Sequence, residues 1–410
     1  IRDRIKLILE LLQIDNFLNI GLSAPTGKAT ARLKEALNDK KNISFSKFLD
    51  QIEFQTLHRW ILNSQNKSLN LKFKLKELDI FIIDEMSMVN IDLIESVLNL
   101  LAKDCKIILV GDKNQLSPVN NCSIWNYLFE YCDNSSIKSC VVNLEKTYRN
   151  IGDIALISSL IFNNDFSLLN QKIKELEKDN NSNQITISKS REKDIPKDLL
   201  FSITSHLKQL NISTSNLSKK KYIFDKSIDN LLLNEKDLVD KIFLDLQSHL
   251  ILCEKNSGIW SVEYLNEIVF GQKKPYDLKT LNEGVPIMCT KNNNELGLSN
   301  GDIGVLIGLK NKRKYLFRKF NDNNEEIVAL IDPSNLENVV PAIAITIHKS
   351  QGSESEKVSI LWSQKYRRDQ YVLKDQIDKE NIFCKDNFEK RLFYTAVTRA
   401  KKFLDIFYLN

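Results

Sequence analysis

Short apolar runs alternate with amphipathic stretches along this chain, the pattern of strands that cross over through helices in an α/β sheet. Residues 4–12 are apolar at Ile5, Leu7, Ile8, Leu9, Leu11 and Leu12, which predicts a mostly buried helix. Residues 18–24 read as a strand. After them, residues 29–37 place Ala29, Leu33, Ala36 and Leu37 on one helical face. Residues 80–83 are wholly apolar, 91–101 read as a helix, and 106–110 and 141–144 read as further strands. Each of these strands runs into polar residues, and open parallel sheets bind their ligands at that edge.

The later chain varies the pattern. Residues 67–78 alternate apolar with basic positions, predicting a half-exposed strand or hairpin, or simply a solvated basic face. Residues 165–225 are polar and charged and are expected to be a mobile linker or surface insertion. Helical spacing resumes at 231–252 and ends in a strand at 250–253. Four short strand-like runs follow, at 285–289, 303–307, 315–320 and 327–331, with Asn300-Gly301-Asp302 as a turn signal. A small β-barrel or sheet fits that spacing. A buried strand at 342–347, a helix at 388–400 and a strand at 404–408 close the chain.

Composition narrows the class. With 410 residues the chain exceeds one core, so two or three domains are expected. Hydrophobic residues at 42% and charged residues at 27% are ordinary globular values, and no 18-residue apolar run exists to span a membrane. The first twelve residues make a poor signal peptide, and the absence of an initiator Met suggests a fragment or processed form. Seven cysteines form no CxxC pair, which argues for free thiols in a reducing, cytoplasmic compartment. The net charge of +5 permits a nucleic-acid partner without demanding one.

The sharpest chemistry lies at residues 78–89. A buried strand delivers Asp84 and Glu85 to its C-terminal end, a sound way to hold Mg²⁺ and activate water. The bland alternative is a buried strand with an acidic turn. Upstream, Pro25-Thr26-Gly27-Lys28 imitates a phosphate-binding loop. It is rejected as one, because Leu22 stands where the first glycine is needed and Ala29 where a hydroxyl must bind the metal. Trp60 and Trp125 are expected in the core, not stacked on bases, and Asn300 and Asp302 are expected as turn residues.

Eight blocks, in order, carry a resemblance: APTGKATARL (24–33), TLHR (56–59), IIDEMSM (82–88), LVGDKNQLSPV (109–119), LEKTYR (144–149), NNELGLSNGDIG (293–304), TIHKSQGSE (346–354) and YTAVTRAK (394–401). Together they resemble superfamily 1 DNA helicases of the 5′→3′ type, and within them the RecD family of exonuclease V subunits. The resemblance implies an α/β fold of two RecA-like parallel-sheet core domains with a small β-rich, SH3-like insertion in the second. The expected domains are 1–150 for the first core, 151–283 with 341–410 for the second, and 284–340 for the insertion.

By resemblance, Asp84 holds Mg²⁺ and Glu85 is the general base on the attacking water. Gln115 senses the γ-phosphate, and Arg149 and Arg399 are arginine fingers. Gly352 and Glu354 lie near the nucleotide. ATP and Mg²⁺ are the implied cofactors, in a cleft between the core domains whose closure drives movement. Pro25, Thr26, Lys28, Thr56 and His58 would grip single-stranded DNA from the first domain, and Thr346, His348 and Lys349 from the second. For each histidine the plain alternative is a core residue. Implied partners are DNA ends and RecB- and RecC-like subunits, with no membrane, and the nuclease activity of such complexes belongs to RecB. The family carries a phosphate-binding loop about one helix upstream of Ala24, and these 410 residues contain no GxxxxGK[ST]. The chain alone is therefore expected not to hydrolyse ATP. Alternatives are a truncated or decayed core kept as a non-catalytic DNA-binding subunit, or a stand-alone superfamily 1 helicase.

Overall fold

The computed structural model describes residues 5, 8–9, 18–37, 48–49, 52–65, 73–118, 124–133, 136–143, 152–178, 183–190, 194–220, 235–293, 295–308, 312–320, 326–363 and 387–409. The chain divides into two compact units, the first built mainly from Ile1–Lys146 and the second from Thr147–Lys319 and Glu326–Asn410.

The first unit is a parallel α/β sheet. Its elements are β1 (Ile20–Ala24), α1 (Gly27–Leu37), β2 (Glu53–Thr56), α2 (Leu57–Gln65), β3 (Ile80–Ile83), α3 (Ile91–Leu98), β4 (Lys106–Leu109) and α4 (Ile124–Asp133). The four strands lie in the order β2-β1-β3-β4, all parallel. β1 and β3 are buried along their whole length, which is why β3 is an unbroken apolar run and Ser23 is the one polar side chain in β1. One face packs on Leu33 and Leu37 of α1, the other on Trp60, Met86, Ile94 and Val97. Trp60 meets Phe81 edge-on at 5.5 Å and donates Nε1–H to the Leu22 carbonyl at 3.3 Å, and Trp125 is buried, so both tryptophans are core residues as expected. Gly21 makes room for this packing, since a Cβ there would meet Leu78 Cδ1 at 2.7 Å.

The second unit holds two sheets. Its elements are α5 (Asp153–Phe162), α6 (Phe166–Lys178), β5 (Ile185–Ser190), α7 (Lys197–Ser218), α8 (Lys236–Ser248), β6 (His249–Cys253), α9 (Val262–Phe270), β7 (Pro286–Cys289), β8 (Ile303–Ile307), β9 (Lys314–Phe320), β10 (Glu326–Ile331), β11 (Val339–Pro341), β12 (Ala344–Thr346), β13 (Ser355–Trp362), α10 (Asn387–Val397) and β14 (Ala400–Leu409). β12-β6-β13-β14-β5 form a parallel sheet. β10-β9-β8-β7-β11 form the inserted sheet, antiparallel from β11 through β7 and β8 to β9. Two parallel α/β sheets with a β-rich insertion in the second are the architecture expected. Asn300 and Asp302 do sit in a turn: Asp302 Oδ2 accepts the Ser299 N–H at 2.7 Å, and Gly301 has φ 94°.

α7 joins the two sheets of this unit. Near its start, Leu199 and Ile203 pack on Ile251, Leu361 and Phe407 of the parallel sheet. Near its end, Leu217 packs with Val305, Ile307 and Leu316 of the insertion. Asn211 Nδ2 donates to the Glu283 carbonyl at 2.8 Å, and Ser218 Oγ donates to the Glu283 carboxylate.

Three expectations fail or fall elsewhere. Residues 165–225 are not a linker: they supply α6, the edge strand β5 and the 22-residue α7. Residues 73–78 form no strand but a single 3-10 turn at Leu75–Glu77. Val141 to Asn143 carry no strand, and the rest of that run, like most of the expected first helix, lies outside the described residues.

Candidate nucleotide and nucleic-acid sites

Because the first sheet is parallel, its strands deliver their C-terminal residues to one edge. Pro25 and Thr26 follow β1, Thr56 and His58 follow or end β2, Asp84 and Glu85 follow β3, and Gly111 to Gln115 follow β4. Main-chain hydrogen bonds lock three of these loops together. Asp84 N–H donates to Ser23 O at 2.9 Å, Val110 N–H to Ile83 O at 2.8 Å, and Met86 N–H to Val110 O at 3.0 Å.

The acid pair sits on a strained turn. Glu85 is left-handed, with φ 56° and ψ 42°, a conformation that costs a non-glycine residue on the order of 1 kcal/mol or more. The turn lets Glu85 N–H donate to Asp84 Oδ1 at 2.9 Å. It leaves Asp84 only 7% exposed while Glu85 is half-buried. In the neighbouring loop Asp112 accepts from Asn114 N–H at 3.0 Å and from Gln115 Nε2 at 3.4 Å. Gln115 is thus oriented by Asp112 and is not a loose surface turn residue.

Around the pair, buried polar atoms lack partners. Ser23 Oγ, Ser87 Oγ, Asn114 Nδ2 and Gln115 Oε1 have no hydrogen-bond partner among the described residues. An unsatisfied buried polar atom costs roughly 1–3 kcal/mol, so four at or just beyond the C-terminal ends of β1, β3 and β4 suit a polar guest. The acceptors are all oxygens, the donor type that hard cations such as Mg²⁺ take. No group of three His, Cys, Asp or Glu among the described residues could hold a metal by itself, so any such cation depends on water and ligand oxygens as well. Sequence reasoning missed Ser23, Ser87 and Asn114. The signal available was a hydroxyl inside an otherwise apolar run, Leu22-Ser23-Ala24 and Met86-Ser87-Met88.

Two of the expected DNA-gripping hydroxyls also cap helices. Thr26 Oγ1 accepts the Ala29 N–H at 3.2 Å, and Thr56 Oγ1 accepts the Arg59 N–H at 3.3 Å. Each keeps its hydroxyl proton to donate. His58 is exposed, so it is not a core histidine. The side chain of Lys28 and all of Arg149 lie outside the described residues.

The second unit presents a separate cluster. β12 ends at Thr346, a 3-10 turn carries His348 and Lys349, and Gly352, left-handed at φ 70°, redirects the chain into β13. Arg399, 3% exposed, follows α10 and donates Nε to Thr395 O at 3.0 Å, Nη1 to Ser353 O at 3.1 Å and Nη2 to Thr398 Oγ1 at 3.2 Å. Glu354 pairs with Lys401 at 2.9 Å. Gly352, Glu354 and Arg399 are therefore brought together. Half-buried His348 stacks on Phe388, centroids 6.1 Å apart.

A family model described as "AAA domain" matches residues 1–121. "RecBCD enzyme subunit RecD" of Buchnera aphidicola subsp. Schizaphis graminum is 29% identical over 98% of this chain and 67% of its own length. The subunit of that name from Haemophilus influenzae is 27% identical over 98% of this chain and 64% of its own length. That from Mycolicibacterium smegmatis is 25% identical over 93% and 60%. The chain thus spans about two thirds of the length of these relatives. The solved Pif1 helicase from Bacteroides in complex with ADP-AlF3 and ssDNA is 17% identical over 98% of this chain and 91% of that one, with a TM-score of 0.43, a loose likeness. No helix among the described residues is long and apolar enough to cross a membrane.

Proposed function

We propose that this chain, RecD-like along nearly its whole length, is the motor core of an ATP-driven DNA helicase moving 5′→3′. In this reading it is a cytoplasmic subunit of an exonuclease V complex in recombination and double-strand-break repair, beside RecB- and RecC-like partners. What supports the reading is the first sheet's edge: an acid pair on a strained turn, beside a glutamine loop, with buried polar atoms close in sequence to these strand ends that no described residue satisfies.

The donor set there fits Mg²⁺ with a nucleoside triphosphate, and Asp84 would be its protein ligand. When bound, that pair supplies an electrophilic γ-phosphate. Glu85 takes the proton of the attacking water, a role suited to the more exposed of the two carboxylates. Gln115, steadied by Asp112, orients that water. Arg149 and Arg399 bring permanent positive charge to the γ-phosphate, an effect worth roughly 10³–10⁵ in rate among NTPases. Gly352 and Glu354 shape the nucleotide's surroundings on the second unit.

Pro25, Thr26, Lys28, Thr56 and His58 hold strand phosphates on the first unit, and Thr346, His348 and Lys349 on the second. Hydroxyls and single cations grip a backbone without reading bases, which suits a strand that must slide.

The test is fluorescence anisotropy of the 410-residue chain with labelled oligo(dT), paired with an ATPase assay. The chain should bind the oligonucleotide, with affinity falling steeply as salt rises, and Lys349→Ala should weaken it. Hydrolysis should be absent, since these residues contain no GxxxxGK[ST]. Failure to bind single strands would overturn the helicase reading, and DNA-stimulated hydrolysis would overturn the placement of the phosphate site.

A further inference from the structure

Lys349 comes off the second parallel sheet next to a loop that the sequence did not mark. Thr346 of β12 lies in register with Cys253 of β6, and Ile347 N–H donates to Cys253 O at 3.0 Å. Two and three residues beyond Cys253, Lys255 O accepts Val262 N–H at 3.3 Å and Asn256 O accepts Glu263 N–H at 3.0 Å. The N-terminus of α9 is therefore pinned to the strand edge that bears His348 and Lys349.

The chain then runs the length of α9 and folds back. Within residues 271–280 Gln272 Oε1 accepts Asp277 N–H at 2.9 Å, and Asn266 Nδ2 of α9 donates to Tyr276 OH of this segment at 3.4 Å. This return carries Lys274 to the start of α9, where its Nζ lies 3.3 Å from Glu263 Oε1. The same carboxylate oxygen accepts from Asn256 Nδ2 at 3.2 Å. Lys349 reaches toward the inserted sheet, with Nζ 3.9 Å from Met288 Sδ of β7.

We propose that Lys274 is a second backbone-phosphate contact for single-stranded nucleic acid, set beside Lys349, and that Glu263 holds its ammonium until the strand arrives. The proposal rests on the DNA-binding reading above. Two cations at one strand edge repel each other, and a passing polyanion relieves that repulsion. Partial burial and the nearby charge of Lys274 both lower the Lys349 pKa, which places the two ammonium groups within each other's field. The Lys274–Glu263 pair is exposed, with 58% and 33% of each side chain open, so it is weak and readily exchanged for a phosphate.

The test is oligo(dT) anisotropy across a salt series, with thermal melting alongside. Lys274→Gln should weaken binding about two- to fivefold and flatten the log–log salt slope by about 0.7, the value of one single-strand phosphate, with the melting midpoint unchanged. Glu263→Gln should act in the opposite direction and strengthen binding, which a merely structural pair would not do. Wild-type affinity and slope in Lys274→Gln, while Lys349→Ala weakens binding, would overturn this assignment alone. Weaker binding by Glu263→Gln would also overturn it. No binding by the unaltered chain would overturn both this assignment and the helicase reading.

Discussion

At the strand ends of the first sheet, Ser23, Ser87, Asn114 and Gln115 keep buried polar atoms without a partner among the described residues. At the strand ends of the second, Arg399 commits Nε, Nη1 and Nη2 to Thr395, Ser353 and Thr398. The first edge withholds its hydrogen bonds and the second has already made them. A site that waits for a ligand gives up stability, whereas a site assembled in advance contributes to its own fold.

Acid should separate the two units most. In the second, His206 and His249 stand edge to face with centroids 5.6 Å apart, and His249 Nε2 lies 2.9 Å from Ser359 Oγ. Burial presses their pKa values down to about 4 and about 3. His206 and Lys357 add to the effect on His249, while Asp245 opposes it on His206. These folded values lie below the unfolded one of about 6.5, so the unfolded chain binds more protons. Stability should therefore fall as pH drops from about 6.5 towards 4, by on the order of 3 kcal/mol or more. Hydrogen exchange, read peptide by peptide and corrected for intrinsic rates, should show the loss in β6, α7 and α8 and not in β1 and β3. Equal loss in both units, or no relief from a His206→Gln/His249→Gln double variant, would break the comparison.

The next effect is at Arg399. Arg399→Ala removes a buried fork from two main-chain carbonyls and a hydroxyl, and should cost about 3 kcal/mol in urea unfolding. A midpoint equal to wild type would mean that the second edge is no more assembled than the first.

The smallest effect has the opposite sign. Ser23→Ala and Ser87→Ala delete hydroxyls that bond to no described residue, so each should be neutral or stabilising by about 0.5–1 kcal/mol in the same titration. A loss above about 1 kcal/mol from either would show that its hydroxyl is satisfied after all.

Much of the fold was legible because burial favours apolar residues in a strand run. β3 coincides with the apolar run 80–83, and four strands of the insertion, β7 to β10, lie within one residue of the runs that announced them. The failures have one cause. α7 buries few apolar side chains along its 22 residues and fills part of its inner face with Ser213 and Thr214, while edge strand β5 buries only Ile185 and Ile187, so both read as polar linker. At the site, Asp84, Glu85 and Gln115 were visible as residue types in a spacing. The cap roles of Thr26 and Thr56 and the burial of Arg399 were not, because their partners are main-chain groups that leave no trace in side-chain pattern.

α7 runs unbroken for 22 residues, about 33 Å, from the parallel sheet to the inserted one. Leu199 and Ile203 anchor it at one end and Leu217 at the other, so it behaves as a stiff beam clamped at both supports. A tug on the insertion would be carried along this beam to the strands at its other support, β6, β13 and β14.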